Sequence, residues 1–269
     1  MPSLLYSILL GLVQGVAEWL PVSSKTQVLF VSSYLFSLPA SVAFAFGLFM
    51  EIGSIGSAAV YFRRDVVSLL HDRRLLVYLV VVTLFTGLAG VPLYLLSERL
   101  LQGAYNLGLP MAILGLFLVI DALYIRSSRL SRRIGGLSNL GLKHYIVIGL
   151  AQGLSALPGV SRSGMTVSTM LFMGVDPRDA FRLSYLAYIP AALGGLATTL
   201  LFSGNEISAA VAAVDPLGVV VAAVTALVIG LIVISILLRF AKRNDIYVVT
   251  LAVGAIALAV GALAALGAA

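Results

Sequence analysis

Cysteine is absent from the 269 residues, which excludes disulfides, thiolate metal sites and cysteine nucleophiles. Charge is almost as scarce: Asp, Glu, Lys and Arg make up 10% of the chain against 61% apolar residues, and mean hydropathy is +1.09. A soluble domain of this size does not carry such a composition. The chain is therefore read as a polytopic membrane protein whose first partner is the bilayer. Its net charge of +6 does not argue for nucleic acid, because cytoplasmic loops of membrane proteins are themselves rich in Lys and Arg. No nucleic-acid partner is expected. The N-terminus lacks the basic segment that opens a cleavable signal, so the first apolar run is expected to be retained.

Against this background, residues 11–27, GLVQGVAEWLPVSSKTQ, concentrate polar groups: Gln14, Glu18, Ser23, Ser24, Lys25, Thr26 and Gln27. Ionisable groups at membrane depth are costly and mark function by default. A second stretch, GLAQGLSALPGVSRSGMT at 149–166, repeats Gly-Leu-x-Gln-Gly, a Pro, and a hydroxyl cluster holding one cation. Two such cassettes in one chain point to one shared site.

A spanning helix needs about 20 apolar residues. Six runs meet that length, at roughly 42–62, 75–97, 107–125, 181–203, 217–240 and 246–267. Four shorter runs, at about 3–19, 24–36, 145–157 and 164–174, flank the cassettes in pairs, each pair split by a Pro-containing break at 20–22 or 157–159. Short, interrupted segments in corresponding positions of two halves are the pattern of re-entrant hairpins meeting at a midplane site. Pro39 and Phe44 correspond to Pro177 and Phe181, and Glu51-Ile52 to Tyr188-Ile189, with an offset of 137 or 138 residues throughout. The expected architecture is a single all-α transmembrane domain over 1–269, with repeats at about 1–125 and 145–267. Each repeat holds one hairpin and three spans. An odd number of crossings inverts the second half relative to the first.

If the end of the first full span is cytoplasmic, the segments 63–74, 126–143, 178–182 and 239–243 hold 14 of the 17 basic residues on that side, as the positive-inside rule asks. Of the others, Lys25 and Arg162 lie in the cassettes and only Arg99 falls in an outer loop. The site is then expected to open to the outside of a plasma membrane. Small residues such as Gly194, Gly195, Gly254 and Gly261 suit helix contacts within one chain or between two copies of a homodimer.

Gln14 and Glu18 are four apart and share a helix face. Ser23, Ser24 and Thr26 follow a Pro at a helix start, where hydroxyls also serve as N-caps. Ser24 stands beside Lys25 and within reach of Glu18. In the second cassette one guanidinium, Arg162, sits among the hydroxyls of Ser161, Ser163 and Thr166 at a helix mouth. Helix N-termini favour anions, and the arginine fork suits phosphate. The lesser alternative is a structural Arg162, held in a buried ion pair with Glu18 or Glu51. A phosphate held at membrane depth points to a lipid.

Both cassettes, their order, and the run FMEIGSIGSAAVYFRR at 49–64 resemble the undecaprenyl diphosphate phosphatase family of the bacitracin-resistance type. Gln14 and Glu18 match its first motif, and Pro158 to Thr166 match its PGxSRSxxT motif in full. The resemblance covers essentially the whole chain. It implies hydrolysis of a polyprenyl diphosphate to the monophosphate at the outer face, with help from a divalent cation, Mg or Ca, for which Glu18 is the candidate ligand. Carrier-lipid recycling for cell-surface glycan assembly follows from that activity. The resemblance makes Ser24 the candidate nucleophile, with Glu18, Arg162 and Gln14 as catalytic partners and Ser23, Lys25, Thr26, Gln27, Glu51, Ser161, Ser163 and Thr166 around the substrate. One departure is Gln27, where many members have a His. The only histidines, His71 and His144, fall in expected cytoplasmic loops, so Glu18 is left as the proton-transfer group, toward Ser24 or toward water. A lipid transporter is the competing class, since inverted repeats with broken helices also build transporters.

Overall fold

The computed structural model of the protein describes residues 4–101, 108–128 and 135–240, with 248, 251–252, 254–256, 258–259 and 262. Arg129, Arg132, Arg133, Lys242, Arg243, Gly261 and much of the expected 246–267 span lie outside the described residues. Among the described residues the regular structure is entirely helical: α1 (Leu4–Ala17), α2 (Ser24–Phe36), α3 (Ala40–Phe49), α4 (Glu51–Tyr61), α5 (Arg63–Ser68), α6 (Arg73–Leu101), α7 (Gly108–Ser128), α8 (Leu142–Gly153), α9 (Arg162–Phe172), α10 (Pro177–Phe202), α11 (Gly204–Val214) and α12 (Pro216–Phe240). Helix is what lipid demands, since backbone groups find no water partners there.

Among the described residues four stretches are long and apolar enough to cross a membrane: 40–61, which joins α3 and α4 through Met50, then α6, α10 and most of α12. Their outward faces are greasy. Val220, Val224, Val228, Ile232 and Ile236, one turn apart along α12, are all about half exposed, a stripe suited to lipid tails. With these helices the chain is a multi-pass membrane protein.

The shorter helices form the two hairpins. α1 and α2 are separated by a turn through Glu18, Trp19, Leu20 and Pro21; α8 and α9 by a 3₁₀ turn at Leu154–Ala156 and the break at Pro158-Gly159. Gly159 has φ +88°, which a glycine adopts without strain. Ser23 adopts φ +55° without that freedom, and left-handed non-glycine residues gather at functional sites.

Each hairpin's first arm packs on a long helix of the other half. α1 lies on α12, where a side chain at Gly11 would strike the Ala222 carbonyl and one at Gly15 the Ala226 carbonyl. α8 lies on α6, where Gly149 meets the Val82 carbonyl and Gly153 the Thr86 carbonyl. The small-xxx-small spacing allows this close approach. It uses the same two glycines of Gly-Leu-x-Gln-Gly in both cassettes.

The hairpin breaks meet tip to tip. The Gly159 amide donates to Thr26 Oγ1 at 2.9 Å and Ser163 Oγ donates to the Leu20 carbonyl at 3.0 Å. Beneath them Trp19 packs edge-on against Tyr185 and Tyr188, with ring centroids 5.1 and 5.2 Å apart. The residues that join the two breaks, Thr26, Gly159 and Ser163, are buried.

Candidate active site

Glu18 closes α1 and is buried, at 4% exposure. Its two oxygens take different partners. Oε1 accepts from Arg162 Nη2 at 2.8 Å, and Oε2 accepts from Ser24 Oγ at 2.6 Å and from Gln14 Nε2 at 3.0 Å. The Gln14 amide also reaches Ser54 Oγ at 3.1 Å. One carboxylate therefore holds a hydroxyl and a guanidinium from opposite cassettes. A hydroxyl donating to a buried carboxylate at this distance has the geometry that a nucleophile and its base require.

Ser24 is the first residue of α2. The side chain of Ser23 does not cap that helix and instead shares a 2.9 Å hydrogen bond with Thr26 Oγ1. Lys25 pairs with Glu51 at 3.4 Å, and both are buried. The site thus holds two cations and two carboxylates. Paired charges are the form in which a buried cluster is tolerated.

Arg162 is held by more than its ion pair. Its guanidinium carbon lies 4.2 Å from the centre of the Tyr188 ring, a stacking contact that favours a cation. Nη1 donates to the Ser184 carbonyl at 3.4 Å. Nε is buried with no partner, and a buried unpaired donor calls for an acceptor.

The second cassette departs from the expected anion site in one respect. α9's N-terminal amides are partly taken by the protein itself: Gly164 N–H donates to Ser161 Oγ at 3.2 Å, and Ser161 N–H to Asp121 Oδ2 at 3.3 Å. Ser161 is thus a working N-cap. Ser163 is bound to Leu20, and Thr166 Oγ1 lies 2.9 Å from the Arg162 carbonyl and 2.5 Å from Ser184 Oγ. These three hydroxyls hold the loop that carries Arg162. Gln27 is also turned to its own hairpin, donating to the Val22 carbonyl at 3.1 Å.

A cavity of about 210 Å³ opens beside the cluster. Lys25, Glu51, Gln152 and Arg162 make its polar end, and it continues between α6 and α10 past Gly87, Gly90, Gly194 and Gly195. A methyl group at Gly87 or Gly194 would meet nothing within 4 Å, so these glycines keep the slot open. Glu18 and Ser24 do not line it.

The family model for the bacitracin resistance protein BacA matches residues 7–260. The chain belongs to the BacA family. Within that family it is similar to proteins named undecaprenyl-diphosphatase. The one from Sulfurisphaera tokodaii is 56% identical over 97% of this chain and 98% of the relative. One from Saccharolobus islandicus is 55% identical, covering 96% and 97%, and one from Pyrobaculum aerophilum is 37% identical, covering 95% and 96%. These names are those of a hydrolase, and they leave the transporter reading without support. The BacA fold brings Gln14, Glu18, Ser24 and Arg162 into one bonded cluster, with Lys25 and Glu51 beside it. Sequence reasoning missed Tyr188, Gln152 and Asp121. Gln152 was open to discovery, being the repeat counterpart of Gln14. Asp121 gave the same signal as Glu18, a lone acid in an apolar run.

Proposed function

We propose that this chain hydrolyses undecaprenyl diphosphate to the monophosphate and inorganic phosphate, using Ser24, Glu18 and Arg162. The observation that carries the reading is the Glu18 carboxylate, bonded at once to the Ser24 hydroxyl and to Arg162. The diphosphate enters the polar end of the cavity and takes Arg162 and Lys25 from their carboxylates. Ser24 Oγ attacks the terminal phosphorus as its proton passes to Glu18. The bond from that phosphorus to the bridging oxygen breaks, and polyprenyl monophosphate leaves. Glu18 gives that proton to the departing monophosphate oxygen, then takes one from the water that attacks the phosphoserine and returns it to Ser24 Oγ as the phosphorus–Oγ bond breaks and inorganic phosphate leaves.

Arg162 stabilises the charge that grows on the phosphoryl oxygens, the role such forks serve in other phosphoryl transfers. Among the described residues no group of three or more His, Asp or Glu could hold an ion. Glu18 and the unpartnered Gln14 Oε1 are nevertheless hard oxygen donors of the kind that Mg and Ca take, the substrate's phosphates completing the shell. A divalent cation there would neutralise phosphate charge. Purified protein in lipid nanodiscs should release phosphate from undecaprenyl diphosphate, and its Ser24→Ala variant should not. No release by the unaltered protein would overturn the reading.

The glycine-lined slot is the natural path for the prenyl chain, because it joins the charged end to the α6 and α10 surface. Gly194→Leu should lower kcat/KM on the long-chain diphosphate about tenfold or more, since filling the slot removes apolar burial of several CH₂ groups at about 0.8 kcal/mol each. Farnesyl diphosphate should lose much less. An equal loss on both would place the chain elsewhere.

The proposed topology has six spans and two re-entrant hairpins in inverted repeats, with the site facing outward from the plasma membrane. It is supported by the matched seating of α1 on α12 and α8 on α6 and by the distribution of basic residues. In this Cys-free chain, His71→Cys and Ser127→Cys should resist an impermeant thiol reagent in intact cells. Labelling of both from outside would reverse the orientation.

A further inference from the structure

Asp121 belongs to neither cassette and takes no part in the steps above. It is buried on α7, at 3% exposure. Its Oδ2 accepts from the Ser161 amide at 3.3 Å, while Oδ1 is buried without a partner. The carboxylate lies so close over Gly164 that a Cβ there would collide with both of its oxygens. A second tie follows along the same two helices, where Tyr124 OH and Thr169 Oγ1 share a 3.1 Å hydrogen bond and the Tyr124 and Phe172 rings lie 5.0 Å apart. The carboxylate is thus pinned across the start of α9, one residue before Arg162.

We propose that Asp121 is a positioning residue for Arg162, setting where α9 begins and hence where the guanidinium fork points. A carboxylate at a helix N-terminus is electrostatically favoured, and here Asp121 Oδ2 takes the amide of Ser161, the residue that caps α9. Gly164 is the complementary half of the device, since only the absence of a side chain lets the carboxylate sit there. The inference rests on the Arg162 role given above.

The test is steady-state hydrolysis of undecaprenyl diphosphate in nanodiscs, with thermal unfolding followed in parallel. Asp121→Ala should lower kcat about thirtyfold or more with KM within about threefold, because a fork displaced by about 1 Å can cost two orders of magnitude. Asp121→Asn keeps the volume and one acceptor for Ser161, and should recover to within about fivefold of the unaltered enzyme. Gly164→Ala, which improves helix propensity, should repeat the kcat loss by displacing the carboxylate. It serves where Asp121→Ala does not fold. In an Arg162→Lys background, Asp121→Ala should add less than about threefold, since groups acting through one another are not additive. Unchanged kcat in Asp121→Ala or Gly164→Ala, or a full further loss on top of Arg162→Lys, would overturn the proposal. Wild-type turnover by Arg162→Lys alone would instead overturn the role of Arg162 itself.

Discussion

Arg162→Ala should lower kcat by about a thousandfold or more, and Arg162→Lys should recover only a small part of that. Removing one donor aimed at developing charge costs about a hundredfold to a thousandfold, and Arg162 supplies two or more such donors from one rigid plane. Lysine keeps the charge but not the fork, and its compact ammonium holds its water more tightly. It also loses the face-on contact with Tyr188, now 4.2 Å from the guanidinium carbon. The loss must be separated from damage to the fold. Deleting one partner of a buried ion pair costs about 3–5 kcal/mol, and Arg162→Ala would leave Glu18 buried and uncompensated. Glu18→Gln in the same chain should therefore restore much of the thermal stability while activity stays absent. Recovery of activity along with stability would show that Arg162 only balances Glu18.

Much of this arrangement is legible in the sequence. The apolar runs ended at polar breaks, and α2 spans Ser24–Phe36, the stretch read from the sequence. Gln14 and Glu18 were placed on one face by their spacing alone, and their side chains are bonded. Gln152 and Asp121 carry a sequence signal, but other features depend on contacts between distant segments, which no local pattern encodes. Tyr188 reads as an ordinary core aromatic of α10 until the hairpins bring Arg162 over its ring. Lys25 and Glu51 come from different helices, and only packing shows that they pair. The hydroxyls of Ser161, Ser163 and Thr166 invite a phosphate in sequence, yet in the structure their partners are protein groups. The cause is a competition that the sequence conceals: α9's first amides must be satisfied in the resting protein, and Asp121 and Ser161 are closest.

Ser24→Ala should be the most damaging single change that leaves the charges intact, lowering kcat about a thousandfold or more with a small change in KM. Glu18→Gln should come close to it, and the double variant should lose little beyond either, because a nucleophile and its base act as one unit. A loss below about tenfold in Ser24→Ala would be less than one hydrogen-bond donor is worth, and would end its assignment as nucleophile. The 2.6 Å bond from Ser24 to Glu18 is also what a phosphate-orienting hydroxyl would show, with Glu18 activating water directly. Kinetics alone does not divide these two routes. The stereochemical course at phosphorus does, using a polyprenyl diphosphate made chiral at its terminal phosphorus with sulfur and oxygen isotopes and hydrolysed in isotopically distinct water. Attack by Ser24 followed by water inverts the phosphorus twice, so net retention is the expected result. Net inversion would mean a single attack by water and would contradict the Ser24 mechanism.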